Sequence, residues 1–190
     1  MVRALLIAES SERADIIRAG LKLAGHETAQ IASPDAPLPA VDQLRAELIV
    51  LQIQSPQLDL LDRLVDAMGE HSLPLVVFAE DSSEQAVGRA VRAGADAYVV
   101  DGLSAERVPA IVRVALMRHE FIVELRTELN AAQQKLTERK FVERAKGLLM
   151  KARGLSEDEA YHTLRRMAME RNRRMGDVAK SVLEMADLLN

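Results

Sequence analysis

The chain has 190 residues, 48% of them hydrophobic, with 25 Lys+Arg against 29 Asp+Glu for a formal net charge of −4. That length fits one domain with an extension or two small domains, and the apolar content is enough for a real core. The lack of cysteine excludes a disulfide framework and a thiolate metal site, and His26, His71, His119 and His162 form no HxxxH or HExxH pair, which argues against a histidine metal site.

The opening nine residues hold too short an apolar run for a signal peptide. No run approaches the ~18 apolar residues that span a bilayer, so a soluble, cytoplasmic protein is expected. Ala4 to Ile7 reads as a buried strand. Glu12 to Leu23 reads as a helix with Ile16, Ile17, Ala19, Leu21 and Leu23 as its apolar stripe and Gly25 closing it. Thr28 to Ala32 is a second, weaker strand, and Pro34, Pro37 and Pro39 mark a loop. Leu48 to Leu51, Leu73 to Phe78 and Ala97 to Val100 read as three more strands. Helical patterns fall at about 58–69, 82–93 and 104–118. Continuously apolar strands separated by helices predict a five-stranded parallel sheet covered on both faces, a doubly wound α/β domain.

Ligands in such folds sit at the carboxyl ends of the strands. Over roughly residues 2–118 the order and spacing resemble the receiver domain of two-component response regulators, which implies a flavodoxin-like strand order. Glu47 to Pro56 is similar to the third-strand motif that ends at the phosphoacceptor aspartate, and that position is Gln52. The acidic pair after the first strand falls at Ala8 and Glu9, the hydroxyl residue after the fourth at Ala79, and the lysine after the fifth at Asp101. An amide cannot act as the carboxylate nucleophile that acyl-phosphate formation needs. One carboxylate makes a poor Mg²⁺ site, Ala79 offers no hydrogen bond, and Asp101 repels a phosphoryl group. These departures define a pseudo-receiver with a degenerate pocket; Glu9 and Asp101 also read as ordinary loop acids.

From Arg118 the helical pattern continues, with no Pro or Gly between Pro109 and Gly147. Ile122, Leu125, Leu129, Ala132 and Leu136 recur at spacings of three and four, a heptad seam. Residues 119–138 therefore read as a coiled-coil connector, with a parallel homodimer preferred over intramolecular packing. Two heptads are marginal alone and need flanking contacts.

Residues 139–190 carry 12 Lys+Arg against 8 Asp+Glu, while the rest of the chain is acidic. A basic excess of this kind attracts phosphates, although charged helix faces are often simply solvated. Phe141, Ala145, Leu148 and Leu149 extend an apolar helical face that Gly154 ends, after Lys151 and Arg153. Ser156 and Glu159 form a capping box that starts a second helix, with Ala160, Leu164, Met167 and Ala168 inside and Asn172 closing it. A third helix places Val178, Val182, Leu183, Met185, Ala186 and Leu189 on its apolar side.

Ala145-Lys146-Gly147, Leu149-Met150, Gly154-Leu155-Ser156, Ala160-Tyr161, Leu164-Arg165, Ala168-Met169, Asn172 and Val178-Ala179 resemble the ANTAR domain, an RNA-binding antitermination module. Ala97 to Leu103, with Arg107-Val108 and Ala115, is similar to NasT-type regulators of nitrate and nitrite assimilation. The resemblance implies binding to leader-RNA hairpins that prevents terminator formation. It also implies control by a nitrate-sensing partner of the NasS type rather than by aspartyl phosphorylation. No cofactor and no enzymatic activity are expected. Phosphate contacts would come from Arg144, Lys146, Lys151, Arg153, Arg165, Arg166, Arg173 and Arg174, with Lys146 and Arg165 closest to the family motif. Each also reads as a helix-stabilising surface charge, as in an Arg166–Glu170 pair. Tyr161, beside His162, reads either as a core residue or as a base-stacking ring. The alternative to RNA binding is a DNA-binding response regulator that uses the basic three-helix module as a helix-turn-helix variant.

Overall fold

The computed structural model describes residues 1–32, 44–68 and 72–187; Pro34, Pro37, Pro39, His71 and Leu189 lie outside the described residues. The elements are β1 (Arg3–Ala8), α1 (Ser11–Leu23), β2 (Glu27–Ala32), β3 (Leu48–Ile53), α2 (Leu58–Met68), β4 (Leu75–Ala79), α3 (Glu84–Arg92), β5 (Ala97–Val100), α4 (Val108–Arg153), α5 (Glu157–Glu170) and α6 (Met175–Asp187). They divide into two compact units, Met1–Val123 and Glu124–Asn190.

In the first unit the strands run parallel in the order β2-β1-β3-β4-β5. This is the flavodoxin-like order expected of a receiver. Side chains alternate between the two faces of the sheet. Leu5, Ile7, Ile49, Leu51, Leu75 and Val77 meet α2 and α3 on one face. Ala4, Leu6, Leu48, Val50, Val76 and Phe78 meet α1 and the start of α4 on the other. β3 and β4 are buried along their whole length, which is why they read as unbroken apolar runs.

Two expectations shift here. The stripe on α1 is rotated: Ala14, Ile17, Gly20 and Leu21 are buried, whereas Ala19 faces solvent and Leu23 is 67% exposed. Gly20 sets that rotation, because a Cβ there would lie 2.5 Å from the Cβ of Val108 on α4. The third strand also runs two residues past Leu51, so Gln52 sits inside it, 2% exposed. The start of α4 is held to the sheet by buried Asp96, whose Oδ2 accepts from the Leu75 N–H at 3.0 Å and lies 3.0 Å from His119 Nδ1.

α4 is one continuous helix of 46 residues, about 69 Å at 1.5 Å per residue. Pro109 is tolerated in its first turn, where no intrahelical N–H is needed. Along its middle the seam lies open: Leu125, Leu129 and Leu136 are 47%, 57% and 62% exposed, Ala132 is exposed and Ile122 half-buried.

In the second unit Val142, Ala145 and Leu149 of α4 meet Ala160, Leu164 and Ala168 of α5 and Val178, Ala179, Val182 and Leu183 of α6. Met185, expected inside, is half-exposed. Gly154 (φ 66) ends α4, and Asn172 (φ 48) closes α5 in the left-handed region. The expected capping box is present: Ser156 Oγ accepts from the Glu159 N–H at 3.3 Å, and the Glu159 carboxylate accepts from the Ser156 N–H at 2.8 Å.

Candidate nucleic-acid interface

A receiver-type pocket would lie at the carboxyl ends of the strands. The sheet register pairs Ala8 with Gln52 and Ile53 with Ala79, which gathers these residues at one end of the sheet. There the expected pocket is taken up by structural hydrogen bonds. Gln52 Oε1 accepts from the Ser10 N–H at 3.2 Å, and Ser10 in turn caps α1. The Glu9 carboxylate accepts from the Gln54 N–H at 2.6 Å. Ala79 and Asp101 instead line a cleft of about 260 Å³ together with Arg13, which is ion-paired to Glu80. Asp101 holds a left-handed φ of 59. Among the described residues no group of three or more acidic, histidine or cysteine side chains could hold a metal ion.

One cluster at this end was not expected from the sequence. Ser55 Oγ donates to Asp81 Oδ2 at 2.6 Å, the Ser83 N–H donates to Asp81 Oδ1 at 2.9 Å, and the Tyr98 hydroxyl donates to the Asp81 carbonyl at 2.6 Å. The Ser55 hydroxyl, then Ser83, holds the Asp81 carboxyl at about 2, well below the usual range. Asp81 and Ser83 form a local turn that could have been read. Ser55, 26 positions away, could not.

In the helical unit the structure separates the predicted basic residues. Lys146 is buried at 8% exposure, and its Nζ donates to Glu157 at 2.7 Å and Glu143 at 3.0 Å. Those bonds, Glu157 first, raise the lysine pKa and lower that of Glu157. The residue ranked beside Arg165 as a phosphate contact thus joins α4 to the start of α5. Tyr161 is 39% exposed and edge-on to His162, with ring centroids 6.0 Å apart, so the core position weighed for it is not what the fold adopts.

Arg165, Arg173 and Arg174 are brought together. With Ala168, Met169 and Asn172 they line a groove of about 390 Å³, and no carboxylate among the described residues lines it. The left-handed turn at Asn172 delivers Arg173 and Arg174 beside the Arg165 end of α5. Arg144, Lys151, Arg153 and Arg166 are exposed but do not line that groove. Arg153 instead borders an apolar cleft with Leu148, Met167 and Met185, and Arg166 sits 3.9 Å from Glu170. Arg174 also lines a second groove, with the amide side chains of Asn130, Gln133 and Gln134, whose pattern along the sequence is that of an ordinary solvated helix face.

A receiver-type sheet joined by one unbroken helix to a three-helix basic module is the architecture of a response regulator. Residues 130–183 match the ANTAR domain family. The transcriptional regulatory protein PdtaR of Mycobacterium tuberculosis is 34% identical over 140 residues, 74% of this chain and 68% of that protein. The nitrate regulatory protein of Klebsiella oxytoca is 39% identical over 70 residues, 37% of this chain and 17% of that protein. NtrX from Brucella abortus matches in fold, with a TM-score of 0.55 at 23% identity over 66% of this chain and 29% of its own. The chain belongs to the ANTAR-domain response regulators. It is a transcriptional regulator rather than an enzyme. Among the described residues no helix is long and apolar enough to cross a membrane.

Proposed function

We propose that this protein is an antiterminator that binds hairpins in leader RNA and prevents terminator formation. The observation that carries this reading is the groove of Arg165, Arg173 and Arg174, free of lining carboxylates and placed on the ANTAR module. Three guanidinium groups beside Ala168, Met169 and Asn172, with Arg174 also 3.9 Å from Glu138, suit a phosphate backbone, whose oxygens such groups meet in a bidentate manner. Two copies pair through Ile122, Leu125, Leu129, Ala132 and Leu136, and the pair offers two such grooves. Regulation comes from a sensor partner of the NasS type rather than from phosphorylation, because Gln52 is not a phosphoacceptor and Glu9 is engaged by the backbone. The named role of the Klebsiella relative supports nitrate or nitrite assimilation as the regulated process.

A gel shift decides the reading. It compares hairpins transcribed upstream of nitrate-assimilation genes of the same genome with duplex DNA of the same sequence. Tighter binding to the RNA is expected, with a steep salt dependence. Tighter binding to the duplex would replace this reading with that of a DNA-binding response regulator.

A further inference from the structure

The second groove, which shares Arg174 with the first, has a different chemistry. It holds about 570 Å³ between α4 and the start of α6 and is lined by Asn130, Gln133, Gln134, Thr137, Glu138 and Phe141 of α4 with Arg174, Asp177 and Lys180. Gly176 lets the two helices close upon it: a Cβ there would lie 2.7 Å from Cγ of Glu138. The side-chain amides of Asn130, Gln133 and Gln134 hydrogen-bond to nothing else among the described residues. Phe141 is half-buried against the module's core, so its ring is held in place.

The charges lining this groove cancel, Arg174 and Lys180 against Glu138 and Asp177. A phosphate entering it would meet two carboxylates. A nucleobase would not be repelled. It is neutral, it has an aromatic face for Phe141, and its edge pairs donors with acceptors, as an amide does. Carboxylates in such a site accept from the exocyclic amino groups of bases. At 100° per residue, the face carrying 130, 134, 137 and 141 is turned about 140° from the seam at 125, 129, 132 and 136. Gln133 lies between the two, about 70° from the seam, so pairing of two copies along the seam leaves the side of the groove carrying Asn130, Gln134 and Phe141 open.

Resting on the RNA-binding reading, we infer that this groove takes an unstacked base of the hairpin loop and reads its edge with Asn130, Gln133 and Gln134. Arg174, on the wall between the two grooves, holds the phosphate that links the bound base to the backbone lying along Arg165 and Arg173.

The test uses the full chain and a pool of hairpin RNAs with one fixed stem and a randomised loop, sequenced after binding. The wild type should enrich one base at a loop position. The N130A/Q133A/Q134A variant should flatten that preference by about tenfold and keep the wild-type slope of log affinity against log salt. R173A should do the reverse, keeping the preference while the slope falls by about one. A triple variant with the wild-type preference, or a wild type that binds without any preference, overturns the inference and leaves hairpin binding standing. A wild type that binds no hairpin in the pool removes both. Should the triple variant fail to fold, the wild type is photo-crosslinked to loop 4-thiouridine. Adducts on residues 130–141 support the groove, and adducts confined to other peptides overturn it.

Discussion

Lys146 and Arg165 belong to the same family pattern, yet the fold gives them opposite tasks. Lys146 is buried between Glu143 and Glu157, whereas Arg165 faces a groove. Replacing Lys146 with Met should lower the melting temperature of the helical unit, as read by circular dichroism. Arg165→Ala should stay within about 0.5 kcal/mol of wild type, as exposed substitutions do, and should weaken hairpin binding with a salt slope shallower by about one. The ion pair also has a pH signature. Glu157 is lowered by Lys146, so its contribution is present above the ordinary carboxylate range and is lost as pH falls through the lowered value. Lys146 is raised, so its contribution is present below the ordinary lysine range and is lost as pH climbs through the raised value. Acid and alkaline melts of K146M should lack both limbs. The charge of Lys146 was legible in the sequence. Its burial was not, because the contact to Glu157 crosses the turn at Gly154 and depends on how that turn folds back.

At the scale of elements, local chemistry was the part most readily read. The capping box, the glycine stop and the asparagine turn each depend on residues within four positions of one another, and all three stand where the pattern put them. Ser156→Ala removes the oxygen that accepts from the Glu159 N–H and should cost about 1 kcal/mol in a denaturant melt of the helical unit. Gly176→Ala should be destabilising, since its Cβ meets Glu138, and the double variant G176A/E138A should recover part of the loss. The stripe on α1 was misread for a reason that is not local. Its inward direction is set where Gly20 meets Val108, a partner far along the chain. Periodicity reports that a helix has an apolar face, but when apolar residues wrap widely around it the packing partner chooses which part is buried.

For the molecule as a whole, the open seam and the occupied receiver pocket lead to separate measurements. If the seam pairs two copies, Leu129→Glu should convert a sedimenting dimer into a monomer without changing helicity; a wild type that is monomeric at every soluble concentration would remove that reading. Incubation with acetyl phosphate and Mg²⁺ should leave the intact mass unchanged, and a stable phospho-adduct would contradict it. The five strands were legible because the buried ones are continuous apolar runs bounded by turn residues, while their order was implied only by the resemblance to receiver domains. The two grooves of the helical unit were not: that of Asn130 and Lys180 arises from the placement of α6 against α4, and that of Arg165 and Arg173 from the left-handed turn at Asn172.

The Gln52 amide, fastened to the Ser10 N–H, has one more consequence. Bacterial cells hold many histidine kinases and a common pool of small phosphodonors, and an ordinary receiver must discriminate among them by surface recognition. A side chain that forms no acyl phosphate removes that burden at position 52. If the acetyl phosphate incubation leaves the mass unchanged, stray kinases and small phosphodonors would have no foothold at position 52, and the regulator would be insulated from their cross-talk by its covalent chemistry.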